Sequence, residues 1–169
     1  MKPWPRIRPA EEKDLPRVLE LARMWPENFI DASFQAIEND FRSFSCVVYE
    51  DEQGVQGFII FVVSYYEVEH LWAASNRERR GRSECLVQIA RHIEERFYTS
   101  CPHRRVIFAR IAAPDATIEG KPDFKGSDSR PVSLLLAKLG YNTRYRVESF
   151  WFPGDHFLIV AKRKHNGPQ

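Results

Sequence analysis

The chain has 169 residues, of which 43% are hydrophobic, and a formal net charge of +2. This length suits a single domain with a proper core, and the hydrophobic content excludes a disordered chain. The small net charge excludes a protein that coats nucleic acid through general basicity.

The three cysteines, Cys46, Cys85 and Cys101, are odd in number and lack metal-ligand spacing. We therefore expect neither a disulfide framework nor a zinc site, and no metal. The longest apolar run, residues 57–63, is too short to span a bilayer, and the N-terminus does not resemble a signal peptide. These features predict a soluble, cytoplasmic protein with no membrane partner.

The first half of the chain predicts a strand, two helices and a hairpin. Residues 7–10 form the strand, a helix opens at 11–14 and breaks at Trp25-Pro26, a second helix covers 31–44, and the hairpin strands are 46–50 and 55–66. The helices follow from apolar residues at three- and four-residue spacing, and the hairpin from two apolar strands around a polar turn that ends in Gly54.

Residues 67–95, EVEHLWAASNRERRGRSECLVQIARHIEE, predict a strand, a turn and a helix. The strand is mostly apolar, which suits coverage on both faces. The helix has apolar residues at helical spacing, and the turn between the two elements holds Arg77, Arg79, Arg80, Gly81, Arg82 and Ser83. A helix N-terminus offers unpaired N–H groups and a positive dipole end, and Gly81 permits close approach. This combination predicts binding of a pyrophosphate-bearing cofactor.

The C-terminal half predicts a strand at 106–112, a loop at 114–130, a short helix at 134–139 closed by Gly140, and a final hairpin of strands 145–152 and 157–162. At seventeen residues the loop exceeds the usual length, so we expect it to be flexible, either as a functional cover over a site or as a disordered excursion. The element order describes one domain over 1–169 with a single mixed α/β sheet and helices on its faces.

Taken together, these segments resemble the GNAT superfamily of acyl-coenzyme A-dependent N-acyltransferases. The resemblance rests on IRPAEEKDLPRVLELA, VQGFIIFVV, EHLWAASNRERRGRSECL and LLLAKLGY. It implies a central mixed β-sheet of about seven strands flanked by about four helices. It also implies transfer of acetyl from acetyl-coenzyme A (acetyl-CoA) directly to a primary amine of a small molecule or protein, and it leaves a homodimer open.

The resemblance assigns the cofactor contacts. The family pattern after the fourth strand is Gln or Arg, two residues, Gly, one residue, then Gly or Ala. Gly81 fits this pattern, Ser83 is a small substitute, and Glu78 departs from it, although Arg79, Arg80 and Arg82 supply compensating positive charge. Leu71, Trp72 and Ala73 lie where the family pairs strand backbone with the pantetheine arm.

The resemblance also assigns a catalytic base. Glu67 stands where protein-lysine-acetylating members carry their general-base glutamate, and Glu69 lies on the same strand face. The alternative is that both glutamates are solvated or salt-bridged edge residues. The family's second signature, a Tyr four residues before Gly140, is replaced by Leu136. The nearest hydroxyls in sequence are Ser133, Tyr141 and Tyr145, and we expect the Tyr141 ring to be core.

Two other functions stay open. One is a GNAT-fold protein that binds acyl-CoA with weak or no catalysis, which Leu136 and Glu78 favour. The other is a nucleic-acid-associated or effector protein that uses the arginine run with Arg104 and Arg105, although an interleaved aromatic platform is missing and nucleic acid is the less favoured partner.

Several smaller groups have both a structural and a functional interpretation. Cys85 and His92 suit a buried small residue beside a surface histidine better than a nucleophilic pair, because no third group orients them. Cys101 and His103 are too sparse for a metal site. We expect the aromatic residues around the first two helices to pack in the core, with some lining an acceptor pocket; they are Trp4, Trp25, Phe29 and Phe34. His156 is a turn residue that could enter that pocket.

Overall fold

The computed structural model describes residues 5–26, 29, 31–64, 68–100, 106–112, 138–147 and 157–163. The elements in chain order are β1 (Arg6–Pro9), α1 (Leu15–Arg23), α2 (Asp31–Ser43), β2 (Ser45–Asp51), β3 (Gly54–Val63), β4 (Val68–Ser75), α3 (Arg82–Ser100), β5 (Val106–Ala112), β6 (Asn142–Val147) and β7 (Phe157–Arg163). A single 3-10 turn, Glu12–Asp14, precedes α1. The chain divides into two compact units, the first comprising Met1–Val62 with His70–Ile93, and the second Val63–Glu69 with Glu94–Gln169.

The sheet of the first unit has the strand order β1-β2-β3-β4. Strands β1 and β2 are antiparallel, as are β2 and β3, with Val48 opposite Phe58. The predicted hairpin is therefore confirmed. Its turn closes at Gly54, where φ is +97°, a left-handed conformation that glycine adopts without a steric penalty.

The core of the first unit lies where α1 and α2 contribute to one hydrophobic cluster with β2, β3 and β4. Val18, Leu21 and Ile37 on the helices and Phe58 and Ile60 on β3 are fully buried. The helical residues recur at the three- and four-residue spacing that places them on one helix face, as the sequence predicts. Apolar burial of this kind is the main source of the stability that holds β3 and β4 in place.

An ion network fixes β1 against β2. The Arg8 guanidinium donates to both Asp14 carboxylate oxygens, at 2.6 and 3.0 Å, and to Glu50 at 2.8 Å. Burial alone raises the pKa of Asp14, but the hydrogen bonds from Arg8 and from the Glu11 backbone N–H outweigh it and lower that pKa below its ordinary value. The network supplies the buried Asp14 carboxylate with the hydrogen-bond donors that offset the cost of its burial.

The second unit holds an antiparallel sheet with strand order β5-β7-β6. Gly140 precedes it with φ +75°, and the Tyr141 ring is buried, so the expectation that this ring is core is confirmed. The Lys162 ammonium lies 2.6 Å from the buried Glu94 carboxylate and 5.6 Å from the centre of the Tyr141 ring. Strand β6 begins at Asn142, three residues before the predicted start at 145.

The α/β class is confirmed, but the single mixed sheet of about seven strands is corrected. The seven strands in the described part of the chain form two sheets, of four and three strands. The registers seen for β1, β2 and β3 and for β5, β6 and β7 are all antiparallel. Periodicity predicts that a segment is extended, whereas its partners depend on hydrogen bonds between segments far apart in sequence, as for β5 and β7.

Other predicted elements fall on residues outside the described ranges. These include the loop at 114–130 and most of the fourth helix at 134–139, so three α-helices stand among the residues described. Within the same residues, no helix combines the length and the apolar character needed to cross a membrane.

Candidate functional site

The turn between β4 and α3, residues 76–81, is organised by Asn76. The Asn76 backbone N–H donates to the Gln56 carbonyl at 2.7 Å, and its side-chain amide donates to Gln56 Oε1 at 2.8 Å. The Asn76 side-chain oxygen accepts the Glu78 N–H at 3.0 Å, and its carbonyl accepts the Arg79 N–H at 3.2 Å. An asparagine side chain that accepts the N–H two residues later defines an Asx turn. Sequence reasoning missed both Asn76 and Gln56.

Gly81 ends this turn and precedes the first residue of α3. Its φ is +75°, and the described atoms leave open space within 4 Å of the position that a Cβ would occupy. The Gly81 carbonyl accepts the Glu84 N–H at 3.0 Å. The glycine is thus required by its left-handed backbone rather than by crowding, and the described atoms leave the space beside it open directly before α3.

The first turn of α3 packs closely on the sheet through Cys85. A Cβ placed on Gly57 of β3 would lie 3.4 Å from the Cys85 Cβ and 3.6 Å from that of Ser75. A side chain on Gly57 would thus already be in van der Waals contact with α3, which shows that the helix lies close to β3 at the small, buried Cys85. Burial raises the pKa of the Cys85 thiol, so the thiol is neutral, as befits a packing residue rather than a nucleophile.

The arginines around the turn do not form one free cationic surface. Arg79 forms an ion pair with Asp51, and its guanidinium lies 5.1 Å from the centre of the Tyr49 ring. Arg77 donates to the Met24 carbonyl at 3.1 Å and lies 4.9 Å from the Trp25 ring centre. Arg80 is exposed and has no ion pair with any residue that the structure describes. The side chains of Arg82 and Ser83 lie outside the described part.

A surface depression of about 650 Å³ adjoins the turn. It is lined by Pro5, Tyr49, Asp51, Glu52, Gln53, Asn76, Glu78, Arg79 and Arg80. Three of these side chains are acidic and two are basic. Because Asp51 compensates the charge of Arg79, Arg80 is the lining residue best placed to attract an anion.

Comparison with known proteins identifies the fold. No protein-family model matches the sequence, and a search of curated proteins gives no significant match. Among solved structures, 166 chains match. An aminoglycoside 6'-N-acetyltransferase from Enterococcus faecium has a TM-score of 0.66 and 16% identity, over 97% of this chain and 99% of that one. The chain has the GNAT fold.

Two further structural neighbours extend the comparison. An acetyltransferase of the GNAT family from Bacillus cereus has a TM-score of 0.60 and 14% identity, covering 96% of this chain and 99% of that one. The structure of yncA from Salmonella typhimurium with its cofactor acetyl-CoA has a TM-score of 0.54 and 16% identity, covering 98% of each chain. At these identities the likeness is one of fold.

The strand that the GNAT resemblance links to pantetheine is β4, and its burial differs from the prediction. Val68, Ala74 and Ser75 are buried, whereas residues 69–73 between them are only half-buried, so coverage on both faces is corrected. The Trp72 indole N–H donates to Asp40 of α2 at 2.6 Å, and its ring centre lies 6.0 Å from that of Phe29. The side chain of Trp72 is thus engaged with the first unit's helical layer, while Leu71 and Ala73 remain half-buried.

The catalytic residues assigned from the GNAT resemblance are only partly described. Glu67 lies outside the described residues, and Glu69 is half-buried on β4. His70 lies between Glu69 and Trp72 in the sequence, and sequence reasoning missed it. Desolvation lowers the pKa of His70 to about 4, so its imidazole is neutral near pH 7. A histidine inside an apolar strand is the signal that could have drawn attention to it.

The depressed pKa of His70 predicts a pH-dependent stability. An unfolded histidine has a pKa near 6.5, so between roughly pH 6.5 and 4 the unfolded chain binds a proton that the folded chain excludes. The free energy of unfolding should therefore fall as the pH is lowered through this window. The pKa values of Asp14 and Glu50 are also lowered in the folded protein, so their ionised carboxylates stabilise the fold. That contribution is lost at more acidic pH, when the carboxylates take up protons.

His70→Gln should flatten this dependence. Urea unfolding of wild type and variant at about pH 7.5 and 5 measures it, since the slope reports the difference in bound protons. An equal loss of stability on acidification in both proteins would assign the effect to other groups.

The remaining candidates divide between core residues and residues outside the described ranges. Trp25 and Phe29 are buried, in line with core packing, and Phe34 is half-buried with the Arg23 guanidinium 5.0 Å from its ring centre. The Trp25 indole N–H donates to the Ser75 carbonyl at 2.7 Å, which ties the end of α1 to the end of β4. Outside the described residues are Trp4, Cys101, His103, Arg104, Arg105, Ser133, Leu136 and His156. The described residues contain no acidic, His or Cys group that could hold a metal.

Proposed function

We propose that this protein is an N-acetyltransferase that transfers acetyl from acetyl-CoA directly to a primary amine. The observation that carries the proposal is Gly81, which has a left-handed backbone and open surroundings directly before α3, together with the adjacent exposed Arg80, in a chain with the GNAT fold. A helix N-terminus with a nearby arginine suits a pyrophosphate, because N–H donors and positive charge converge on it.

Different residues in and beside the turn would contact different parts of acetyl-CoA. The backbone at Gly81, Arg82 and Ser83 would hold the pyrophosphate, and Arg80 would add a charge-assisted hydrogen bond. Arg79 contributes mainly by shaping the turn, since Asp51 already compensates its charge. The half-buried backbone of Leu71, Trp72 and Ala73 is the proposed partner of the pantetheine arm.

Direct transfer needs a base and a leaving group. Glu67 would take the proton from the acceptor ammonium, with Glu69 as the second candidate. The free amine then attacks the thioester carbonyl carbon and the C–N bond forms. The C–S bond breaks as the thiolate leaves, and the nitrogen gives up its remaining extra proton to the thiolate or to solvent, which leaves a neutral amide. A thiol has a reference pKa of about 8.5, so this thiolate can depart without a dedicated acid where Leu136 replaces the family tyrosine.

The buried Tyr141 does not fit the part of a proton donor. Burial raises the pKa of its hydroxyl far above the ordinary value, and the Glu94 carboxylate raises it further. Because the pKa of this hydroxyl lies far above that of a thiol, the hydroxyl would not give its proton to the departing thiolate.

Acyl-CoA binding without efficient catalysis is the second candidate function. Glu78 is exposed in the turn, where its charge opposes a phosphate, and the family tyrosine position holds Leu136. Nucleic-acid binding through the arginine run is less favoured, because Arg77 and Arg79 are engaged with other groups. Release of free thiol from acetyl-CoA separates the first two functions.

The test of the proposed function is a screen for acetyl-CoA-dependent thiol release over amine acceptors of several classes: aminoglycosides, amino acids, simple amines and lysine peptides. Aminoglycosides are included because one structural neighbour is an aminoglycoside acetyltransferase. Amine-dependent thiol release with at least one class supports the proposal. Binding of acetyl-CoA with no release above the solvent rate for any class favours the second candidate.

The two arginines of the turn should differ in their effect on binding. We expect Arg80→Ala to weaken coenzyme A binding by roughly tenfold, the size of one charge-assisted contact. Arg79→Ala should mainly lower the melting temperature, because it removes the ion-pair partner of Asp51. Calorimetric titration measures the first effect and thermal unfolding the second.

Arg91→Ala is the matched control, since Arg91 is an exposed arginine farther along α3. Its dissociation constant should equal that of wild type. The assignment of Arg80 is wrong if Arg80→Ala binds coenzyme A as well as this control does.

A further inference from the structure

Asn76 is the residue on which the hydrogen bonds of the turn converge. Its backbone N–H, backbone carbonyl, side-chain N–H and side-chain oxygen each have a partner. Two of these bonds run back to Gln56 on β3, and two run forward to Glu78 and Arg79. Asn76 therefore joins the sheet to the turn that leads to Gly81.

Gln56 gives Asn76 a rigid support in the sheet. It is 2% exposed and lies on β3 between the buried Val55 and Gly57, where a polar side chain is exceptional. A buried amide is costly unless its groups are hydrogen-bonded, and Gln56 Oε1 meets this requirement by accepting from Asn76 Nδ2 at 2.8 Å. The Gln56 backbone carbonyl accepts from the Asn76 backbone N–H, so the two residues are bonded twice.

We infer that Gln56 and Asn76 are a positioning pair that holds the 76–81 turn in the conformation that binds the coenzyme A pyrophosphate. The inference rests on the proposed function and deepens it. Neither side chain needs to touch the ligand. Their effect passes through the Glu78 and Arg79 N–H groups, which fix the backbone path to Gly81 and so the direction of the free N–H groups of α3.

Four variants separate the two halves of the pair. Asn76→Ala removes both the side-chain hydrogen bond to Gln56 and the acceptor for the Glu78 N–H, and it leaves the backbone bond to Gln56 in place. Asn76→Ser keeps a weaker acceptor for that N–H but loses the side-chain hydrogen bond to Gln56. Gln56→Met removes the amide that accepts from the Asn76 side chain, with little change in volume. The double variant Gln56→Met/Asn76→Ala completes the double-mutant cycle. Gln35→Met is the matched control, because the exposed Gln35 donates to Asn39 at 3.2 Å on α2, in a similar Gln–Asn pair outside the turn.

The readout is the dissociation constant of coenzyme A, measured by calorimetric titration well below each melting temperature and accompanied by circular dichroism. Asn76→Ala should weaken binding by about tenfold, and Asn76→Ser and Gln56→Met by less. Because Gln56 acts through Asn76, the double variant should bind no more weakly than Asn76→Ala alone. In turnover assays the Michaelis constant for acetyl-CoA should rise, while that for the amine stays unchanged.

A purely structural pair would lower the melting temperature and leave the dissociation constants within about twofold of wild type, and that result overturns the inference. If Asn76→Ala does not fold, Asn76→Ser and Gln56→Met decide by the same criterion. Failure of wild type to bind coenzyme A would remove the proposed function and this inference with it. Wild-type binding with unchanged variant affinities would remove this inference alone.

Discussion

Replacing Gly81 with glutamate is expected to abolish the stabilisation of this protein by acetyl-CoA. Wild type at a ligand concentration 100 times the dissociation constant should gain roughly 2.7 kcal/mol in the free energy of unfolding. In the variant, a side chain is forced onto a residue with φ +75°, and a negative charge enters the proposed pyrophosphate site. Thermal unfolding with and without ligand measures the effect.

Gly140→Glu is the matched control for this experiment. Gly140 has the same φ of +75°, is exposed, and has the same open surroundings, but it precedes β6 rather than α3. Both variants should lose stability from backbone strain, and only Gly81→Glu should lose the ligand-induced shift. A wild type that shows no shift with acetyl-CoA, or a Gly81→Glu variant that keeps the full shift, would show that this turn is not the cofactor site.

Glu67→Gln is expected to lower turnover by about 10²–10⁴-fold, the range for loss of a positioned general base. The amide keeps the shape of the side chain but cannot accept a proton from the acceptor ammonium, so the affinity for acetyl-CoA should change little. The rising limb of the pH–rate profile should also alter, because that limb reports the ionisation of the base. Steady-state kinetics across pH provide the measurement.

Glu69→Gln is the comparison variant, since Glu69 lies two residues farther along the same segment and is half-buried. We expect a smaller loss from it. Near wild-type turnover of Glu67→Gln, together with a large loss in Glu69→Gln, would transfer the role of base to Glu69. Near wild-type turnover of both would leave an ordered water as the base.

Local patterns in the sequence were sufficient to predict most of the elements and the position of the turn. The spacing of Leu15, Val18 and Ala22 predicts the buried face of α1, and Gly81 between an apolar strand and an amphipathic helix predicts where α3 begins. Each of these depends on residues close together in the chain, where periodicity and glycine conformation are informative.

Apart from His70, which a histidine inside an apolar strand could have signalled, the features that sequence reasoning missed depend on contacts between distant segments. Asp51 and Arg79 are 28 residues apart, and Asn76 and Gln56 are 20 apart. No local pattern links such pairs, so the sequence alone does not distinguish Arg79, which pairs with Asp51, from Arg80 as a cofactor contact. The division into two sheets escaped prediction for the same reason, because strand partners are set by long-range hydrogen bonds.

The fate of the acetyl group tests the central claim most directly. Acetyl-CoA labelled in its acetyl group is incubated with the protein, first alone and then with an amine acceptor from the thiol-release screen, and the label is located by mass spectrometry. Direct transfer predicts no label on the protein without amine, and label on the acceptor nitrogen in step with free coenzyme A when the amine is present. An acetylated protein intermediate that passes its label to the amine, or an acceptor that stays unlabelled for every amine class, would contradict the account.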